Sequence, residues 1–155
     1  MFETFENRLE LSGVLYTVTA LRVSQGRSLE PIGADLPVVK DALGRPLIPG
    51  SSFKGAMRSR MESFLRGILG NDPKLVANPA NEDEWSIPPK QMTEFKREIA
   101  TLDPKPKEDK LHKFITDNTD WVSSLFGSPW LSSKFQVRDL TVYNPEETWF
   151  DQYQE

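Results

Sequence analysis

The segment from Pro49 to Gly70 constrains this chain more than any other, because it reads as one amphipathic helix with a polar, glycine-bearing entrance. Apolar residues fall at Phe53, Ala56, Met57, Met61, Phe64, Leu65, Ile68 and Leu69. That 3.6-residue spacing predicts a helix over about 53–69, ending near Gly70, with the stripe buried. Pro49-Gly50 reads as a turn and Ser51 or Ser52 as the N-cap, which leaves first-turn N–H groups aimed at whatever lies in front. The opposite face is basic. Lys54 and Arg58 lie one turn apart, Arg60 and Arg66 flank them, and Gly55 lacks the side chain that would hold a ligand backbone away. A phosphate at such an entrance gains from the N–H groups, the helix dipole and the lysine together. Taken alone, Pro-Gly-Ser-Ser is an ordinary helix start, and basic residues on an outer helix face are usually just solvated.

The net charge of −4 looks wrong for a nucleic-acid binder until it is divided along the chain. Residues 45–70 hold Arg45, Lys54, Arg58, Arg60 and Arg66 against Glu62 alone. Holding a phosphate backbone takes a positive stripe rather than a positive total, because screening limits each charge to about 10 Å of reach. With 155 residues, 37% of them hydrophobic, there is core enough for one domain. The absence of cysteine excludes a disulfide framework and a thiolate zinc site, and the lone His112 cannot build a histidine cluster, so any metal is held by oxygen. No apolar run reaches bilayer length, and the start Met1-Phe-Glu-Thr-Phe-Glu6 lacks the form of an export signal, so a cytoplasmic, non-membrane protein is expected.

Periodicity sets out the remaining elements. Residues 8–23 alternate and are rich in β-branched residues, which predicts a long first strand, central in a small sheet. A polar loop covers 24–36 and a short strand 37–40, after which Asp41 is placed to fix the turn before Gly44. Residues 71–116 begin with a proline-rich, charged stretch and read as a surface insertion with one helix near 91–100. A further helix starts near Asp117 or Thr119 with Trp121, Val122, Leu125 and Phe126 as its buried face. Residues 134–143 close as a strand, and 146–155 form an acidic, aromatic tail. Phe53, Phe64 and Phe126 are expected in the core. Trp130, Phe135, Trp149, Phe150 and Tyr153 are free to stack bases or to pack against a partner, and Trp85 to do either. A strand, a helix and later strands in this order suit an α+β domain of the ferredoxin-like, RNA-recognition-motif type.

Two stretches carry a family resemblance. Gly33-Ala-Asp35-Leu-Pro37-Val-Val-Lys-Asp41, followed by Gly44-Arg-Pro-Leu-Ile-Pro-Gly-Ser-Ser-Phe-Lys-Gly-Ala-Met-Arg58, resembles the signature of the RAMP subunits of type III CRISPR effector complexes, most of all the backbone subunits that line the guide RNA. Leu125-Phe-Gly-Ser128 with Lys134-Phe-Gln-Val-Arg-Asp-Leu-Thr-Val142 is a looser match. The resemblance implies the same ferredoxin-like fold, here short of its C-terminal half, so that 1–155 is a single RAMP-type domain or the N-terminal part of one. Such a half-domain would expose sheet edge and apolar helix face, which association with another polypeptide would cover.

The resemblance also implies a crRNA-binding subunit whose partners are the guide crRNA, the target RNA, other CRISPR effector subunits and a polypeptide completing the domain. Ser51, Ser52, Lys54, Gly55 and Arg58 would grip the guide. Asp35 matches the family's cleavage aspartate. It would act in metal-dependent cutting of target RNA, holding a divalent ion such as Mg2+ through oxygen or taking a proton, with Arg22 and Arg27 stabilising developing charge on the RNA. Without the resemblance, an Asp before Leu-Pro is an ordinary turn residue. A non-catalytic structural subunit and a precursor-crRNA processing nuclease are the alternatives.

Overall fold

The computed structural model describes residues 7–24 and 38–143. In chain order these form β1 (Leu47–Ile48), α1 (Gly50–Leu69), a 3-10 turn (Glu82–Glu84), α2 (Pro89–Glu98), α3 (Pro104–Asn118), α4 (Trp121–Phe126) and β2 (Leu140–Thr141). The α+β class is what the sequence predicts. The chain divides into two units, a helical one of residues 54–136 and a sheet-bearing one of residues 2–53 with 137–155.

In the sheet-bearing unit, β1 and β2 pair antiparallel, Leu47 opposite Thr141 and Ile48 opposite Leu140. Upstream, Ser24 pairs with Val38 and Lys40 with Pro46 in single antiparallel bridges, and the Val39 N–H donates to the Val23 carbonyl at 2.9 Å. Residues 38–48 are therefore a tight hairpin whose corner is held by Asp41. Its carboxylate accepts the N–H groups of Leu43 and Arg45, each at 2.9 Å, and the Arg45 Nε at 2.8 Å, while Gly44 supplies the φ of +79° that the corner needs. The predicted role of Asp41 is the observed one.

The backbone N–H of Arg45, with the other donors around it, holds the Asp41 carboxyl below its ordinary value of 3.8. Because the folded value is the lower one, the corner's stabilisation is present above the unfolded value and is lost as pH falls through the folded one. The amide resonances of Leu43 and Arg45 are expected to shift together in an acid titration with a midpoint below 3.8. Asp41→Asn removes that titration.

The long first strand is not observed among the described residues. Residues 7–22 run exposed, with Leu9 at 82%, Leu11 at 84% and Val18 at 99% exposure, and among the described residues the strand pairing begins at Val23 and Ser24. β-branched alternation expresses a fitness for a pleated, half-buried surface, and a strand forms only where a neighbour supplies the other half of the ladder. Likewise, among the described residues only Leu140–Thr141 of the predicted strand 134–143 is paired.

The helical unit differs from expectation in content. Residues 71–116, read as polar with one helix, carry two. Α-helix α3 escapes the eye because it opens Pro104-Lys-Pro106-Lys, yet proline in the first turn loses no intrahelical bond. This segment also supplies deep core: Ile87, Met92 and Ile115 cluster with Leu131, supported by Leu111, Phe114 and Trp130. The Phe95 and Phe114 rings stack at 3.9 Å. A second cluster joins Val76, Val122 and Phe126 to Leu65 of α1 and to Phe135, whose ring meets that of Phe126 edge-on at 5.3 Å. In α4, Val122 and Phe126 are buried as predicted, but Trp121 is 78% exposed and Leu125 is also exposed. The buried Asp120 caps this helix by accepting the Ser123 N–H at 3.0 Å.

Candidate nucleic-acid interface

Helix α1 starts three residues earlier than its apolar stripe suggests. Gly50 is its first residue, the Pro49 carbonyl accepts the Phe53 N–H at 3.0 Å, and Ser51 and Ser52 stand inside the first turn, exposed, rather than at the cap. The reason is Asp139, next to β2. Its Oδ1 accepts the Gly50 N–H at 2.8 Å, supplying from a distant part of the sequence the acceptor that a serine hydroxyl was expected to supply. The chain before β2 lies against the helix start so closely that a Cβ on Gly50 would stand 2.4 Å from the Val137 carbonyl oxygen. Among the described residues the N–H groups of Ser51 and Ser52 have no partner, so two donors and two hydroxyls remain available at this end.

In the same unit Ser24 pairs with Val38, Arg22 is exposed just before that bridge, and Asp35 stands three positions before Val38 in sequence. Asp35 and Arg27 themselves lie outside the described residues, as do Trp149, Phe150 and Tyr153. Among the described residues no three acidic or histidine side chains gather where they could hold a metal ion.

Within the helical unit, α1 faces the opposite way from expectation. Met57, Met61, Phe64, Ile68 and Leu69 are exposed, Phe64 by 59% and Ile68 by 64%, so the predicted stripe is not the buried face and Phe64 is not core. The residue most deeply buried on this stretch is Glu62. Its carboxylate receives Arg58 Nε at 2.8 Å and lies 3.7 Å from Arg66, one turn on either side. Each arginine then reaches past it: Arg58 donates to the Gly127 carbonyl at 3.0 Å and Arg66 to that of Ala77 at 2.8 Å. Lys54 donates to Ser133 Oγ at 2.6 Å. Lys54 and Arg58 are thus half-buried and hold the 127–133 loop, whereas Gly55 and Arg60 are exposed. Space around Gly55 is open, with nothing within 4 Å of a Cβ placed there, a property it shares with Gly67.

Trp130 and Phe135 prove to be packing residues. The Trp130 Nε1 donates to the Ile87 carbonyl at 2.9 Å, and Lys96 lies 5.3 Å over its ring. Sequence reasoning missed Asp139, Glu62 and Ser133. The only hint was that Glu62 is the sole acid among the basic residues of 45–70. No described helix is long and apolar enough to cross a membrane.

Over 82 residues the chain is 38% identical to a Mycobacterium tuberculosis protein named CRISPR system Cms endoribonuclease Csm3, which covers 52% of this chain and 33% of the relative. Proteins of the same name from Methanocaldococcus jannaschii (38% over 60 residues, 38% of this chain and 24% of the relative) and Enterococcus italicus (39% over 66 residues, 41% and 31%) are also similar. The chain spans a third or less of the length of these relatives. No solved structure matches it. The family model described as the RAMP superfamily matches residues 14–152, and the chain belongs to that superfamily.

Proposed function

We propose that this chain is a crRNA-binding backbone subunit of a type III CRISPR effector complex. The observation that carries the reading is the superfamily match over residues 14–152, together with relatives whose name is that of a CRISPR endoribonuclease. The first turn of α1 supports it chemically, through the unpartnered N–H groups and exposed hydroxyls of Ser51 and Ser52 beside the open surface at Gly55. Guide and target pairing supplies sequence discrimination, and the protein reads backbone shape. Lys54 and Arg58 add positive charge to this helix face while anchoring the 127–133 loop. The partners are the guide, the paired target RNA, other effector subunits and a polypeptide completing the domain. The setting is the cytoplasm.

Changing Lys54 and Arg58 together to Ala is expected to weaken guide binding and to flatten its salt dependence. Loss of two phosphate contacts lowers the slope of log affinity against log salt by about 1.4, on the scale for single strands. Equal slopes for the parent and the double variant would remove both residues from the grip.

Asp35 is proposed to position the target strand for cutting, with Arg22 and Arg27 at the charge that develops on the phosphate. RNA cleavage through its own 2′-hydroxyl needs in-line alignment, proton transfer and charge neutralisation, and a loop carboxylate serves the first two. A bound Mg2+ would supply Lewis-acid polarisation of the phosphate, with Asp35 as its protein ligand. Asp35→Ala is expected to abolish target cleavage by the assembled complex while RNA affinity stays within about twofold, since the substitution removes no positive charge. Cleavage persisting at the same positions excludes Asp35 from the mechanism, and a complex that never cuts with added magnesium favours the structural, non-catalytic reading.

A further inference from the structure

Residues 9–21 form no regular structure, with a bend at Val18 and Thr19, and none of their backbone N–H or carbonyl groups has a partner among the described residues. Val14, Leu15, Tyr16, Val18 and Leu21 all stand exposed along the second half of this stretch, Tyr16 by 81% and Val18 by 99%. The pattern is nevertheless that of a strand. Val14, Tyr16 and Val18 fall on one face of a pleated chain and Leu15, Thr17, Thr19 and Leu21 on the other, so both faces carry β-branched or large apolar residues. A strand of that composition is suited to be covered on both faces and paired along its edges.

The sheet-bearing unit starts that pairing and then runs out of chain. Ser24 pairs antiparallel with Val38, and the Val39 N–H donates to the Val23 carbonyl. Continued in this register, Leu21 falls opposite Asp41, the corner at which residues 38–48 turn back on themselves through the Lys40–Pro46 bridge. Past that corner the hairpin has no residue to set against Ala20, Thr19 or Val18. Nucleic acid does not suit the place, because residues 9–21 contain no lysine or arginine and their one charged residue is Glu10. Unpaired backbone groups flanked by alternating apolar side chains are matched by another extended polypeptide, which gains affinity from main-chain hydrogen bonds and selectivity from the side chains it meets. A third or less of each relative's length is matched by this chain, and the unmatched remainder is polypeptide of the kind that supplies such a strand.

We propose that residues 14–21 are a strand-addition site, on which the separate polypeptide that completes this domain lays a β-strand of its own. The proposal rests on the reading of the chain as a subunit of an effector complex and deepens it by naming where and how that polypeptide binds. The incoming strand is about six to eight residues long, uncharged at its centre and rich in β-branched residues. Its ladder runs from Leu21 back to Val14, while Val23 and Ser24 keep the pairing they have.

The test compares hydrogen exchange, resolved to single residues by fragmentation mass spectrometry, in the full chain alone and in the assembled ribonucleoprotein. Alone, the amides of 14–21 are expected to exchange at the rate of unstructured chain; in the assembly every second one should slow by about 100-fold or more. Of two neighbouring residues one N–H faces the incoming strand, so at least one of Thr17→Pro and Val18→Pro should lower incorporation into the assembly by about tenfold or more. Both residues are exposed in the free chain, so neither variant should move its urea midpoint, which separates lost association from lost folding. Val18→Ile should be incorporated like the parent. A photoreactive benzoylphenylalanine at position 16 identifies the occupant: crosslinks to a polypeptide of the assembly uphold the proposal, and crosslinks to RNA overturn it. A dimer of the free chain with 14–21 protected gives the strand to a second copy and also overturns it. Fast exchange of 14–21 in the assembly, or both proline variants incorporated like the parent, overturns the strand addition and leaves guide binding by α1 untouched. A protected strand in an assembly whose guide crosslinks only to other subunits upholds the strand addition and removes the guide-binding reading.

Discussion

Gly50→Ala is expected to destabilise the sheet-bearing unit by about 3 kcal/mol or more, at or beyond the upper end of the usual overpacking cost. The added methyl would stand 2.4 Å from the Val137 carbonyl oxygen and 2.8 Å from that of Arg138, and both obstacles are backbone rather than the yielding end of a side chain. Relief requires the chain before β2 to retreat, which in turn pulls Asp139 off the Gly50 N–H and loosens the Leu47–Thr141 pairing. Native-state hydrogen exchange reads this directly: protection at Gly50 and in the β1–β2 pair should fall by two orders of magnitude or more, since 1.4 kcal/mol is about tenfold. Protection unchanged within a factor of three would mean that the close approach is not present in solution. Proline-glycine at the helix start therefore has a different meaning here from the simple turn that the sequence suggests, because the glycine is demanded by the distant backbone at Val137 and Arg138.

Glu62→Ala is the second large effect, expected at about 2–3 kcal/mol, the lower end of the cost of breaking a buried ion pair because both arginines keep some solvent contact. The substitution leaves Arg58 and Arg66 half-buried without their shared carboxylate, and their other anchors, the carbonyls of Gly127 and Ala77, then carry both side chains alone. Glu62→Gln should cost less, because its amide oxygen still accepts from Arg58. A fall in the urea midpoint at constant m-value measures both, with the order Ala worse than Gln. A Glu62→Ala variant as stable as the parent would show that the three-residue ladder contributes nothing to holding α1.

Much of what surrounds these two residues was legible in sequence. The end of α1 at Gly70 follows from where the apolar spacing stops, and Gly70 indeed adopts a φ of +83° with its N–H on the Arg66 carbonyl at 2.9 Å. The Asp41 corner follows from turn chemistry. What could not be read is which side of α1 is covered. Periodicity states where Met57, Met61, Phe64 and Ile68 point, but burial needs an apolar surface to receive them, and the described residues meet α1 on its other side, with apolar contact at Leu65 and with the carbonyls of Ala77 and Gly127 and the hydroxyl of Ser133. The same holds for the predicted strand 8–23, whose pattern does not by itself supply the pairing that the described residues show only at its end, at Val23 and Ser24.

The sites divide along the same line. Ser51, Ser52 and Gly55 are exposed where the motif puts them, because a helix entrance is a local property. Lys54 and Arg58 were placed on an outer face by local spacing and are held inward by Ser133 and Gly127, partners that no local pattern reveals. Asp139 was visible as an acid next to a strand, but its task at the helix start depends on β1 pairing with β2.

The seat of the guide on the first two turns of α1 can be measured in the assembled ribonucleoprotein, by crosslinking a guide carrying 4-thiouridine and locating the adducts by mass spectrometry. Adducts between Ser51 and Arg58 are the expected result. A complex in which this chain is crosslinked only elsewhere, or carries no adduct while its neighbours do, would contradict the assignment of that helix to the ribose-phosphate backbone.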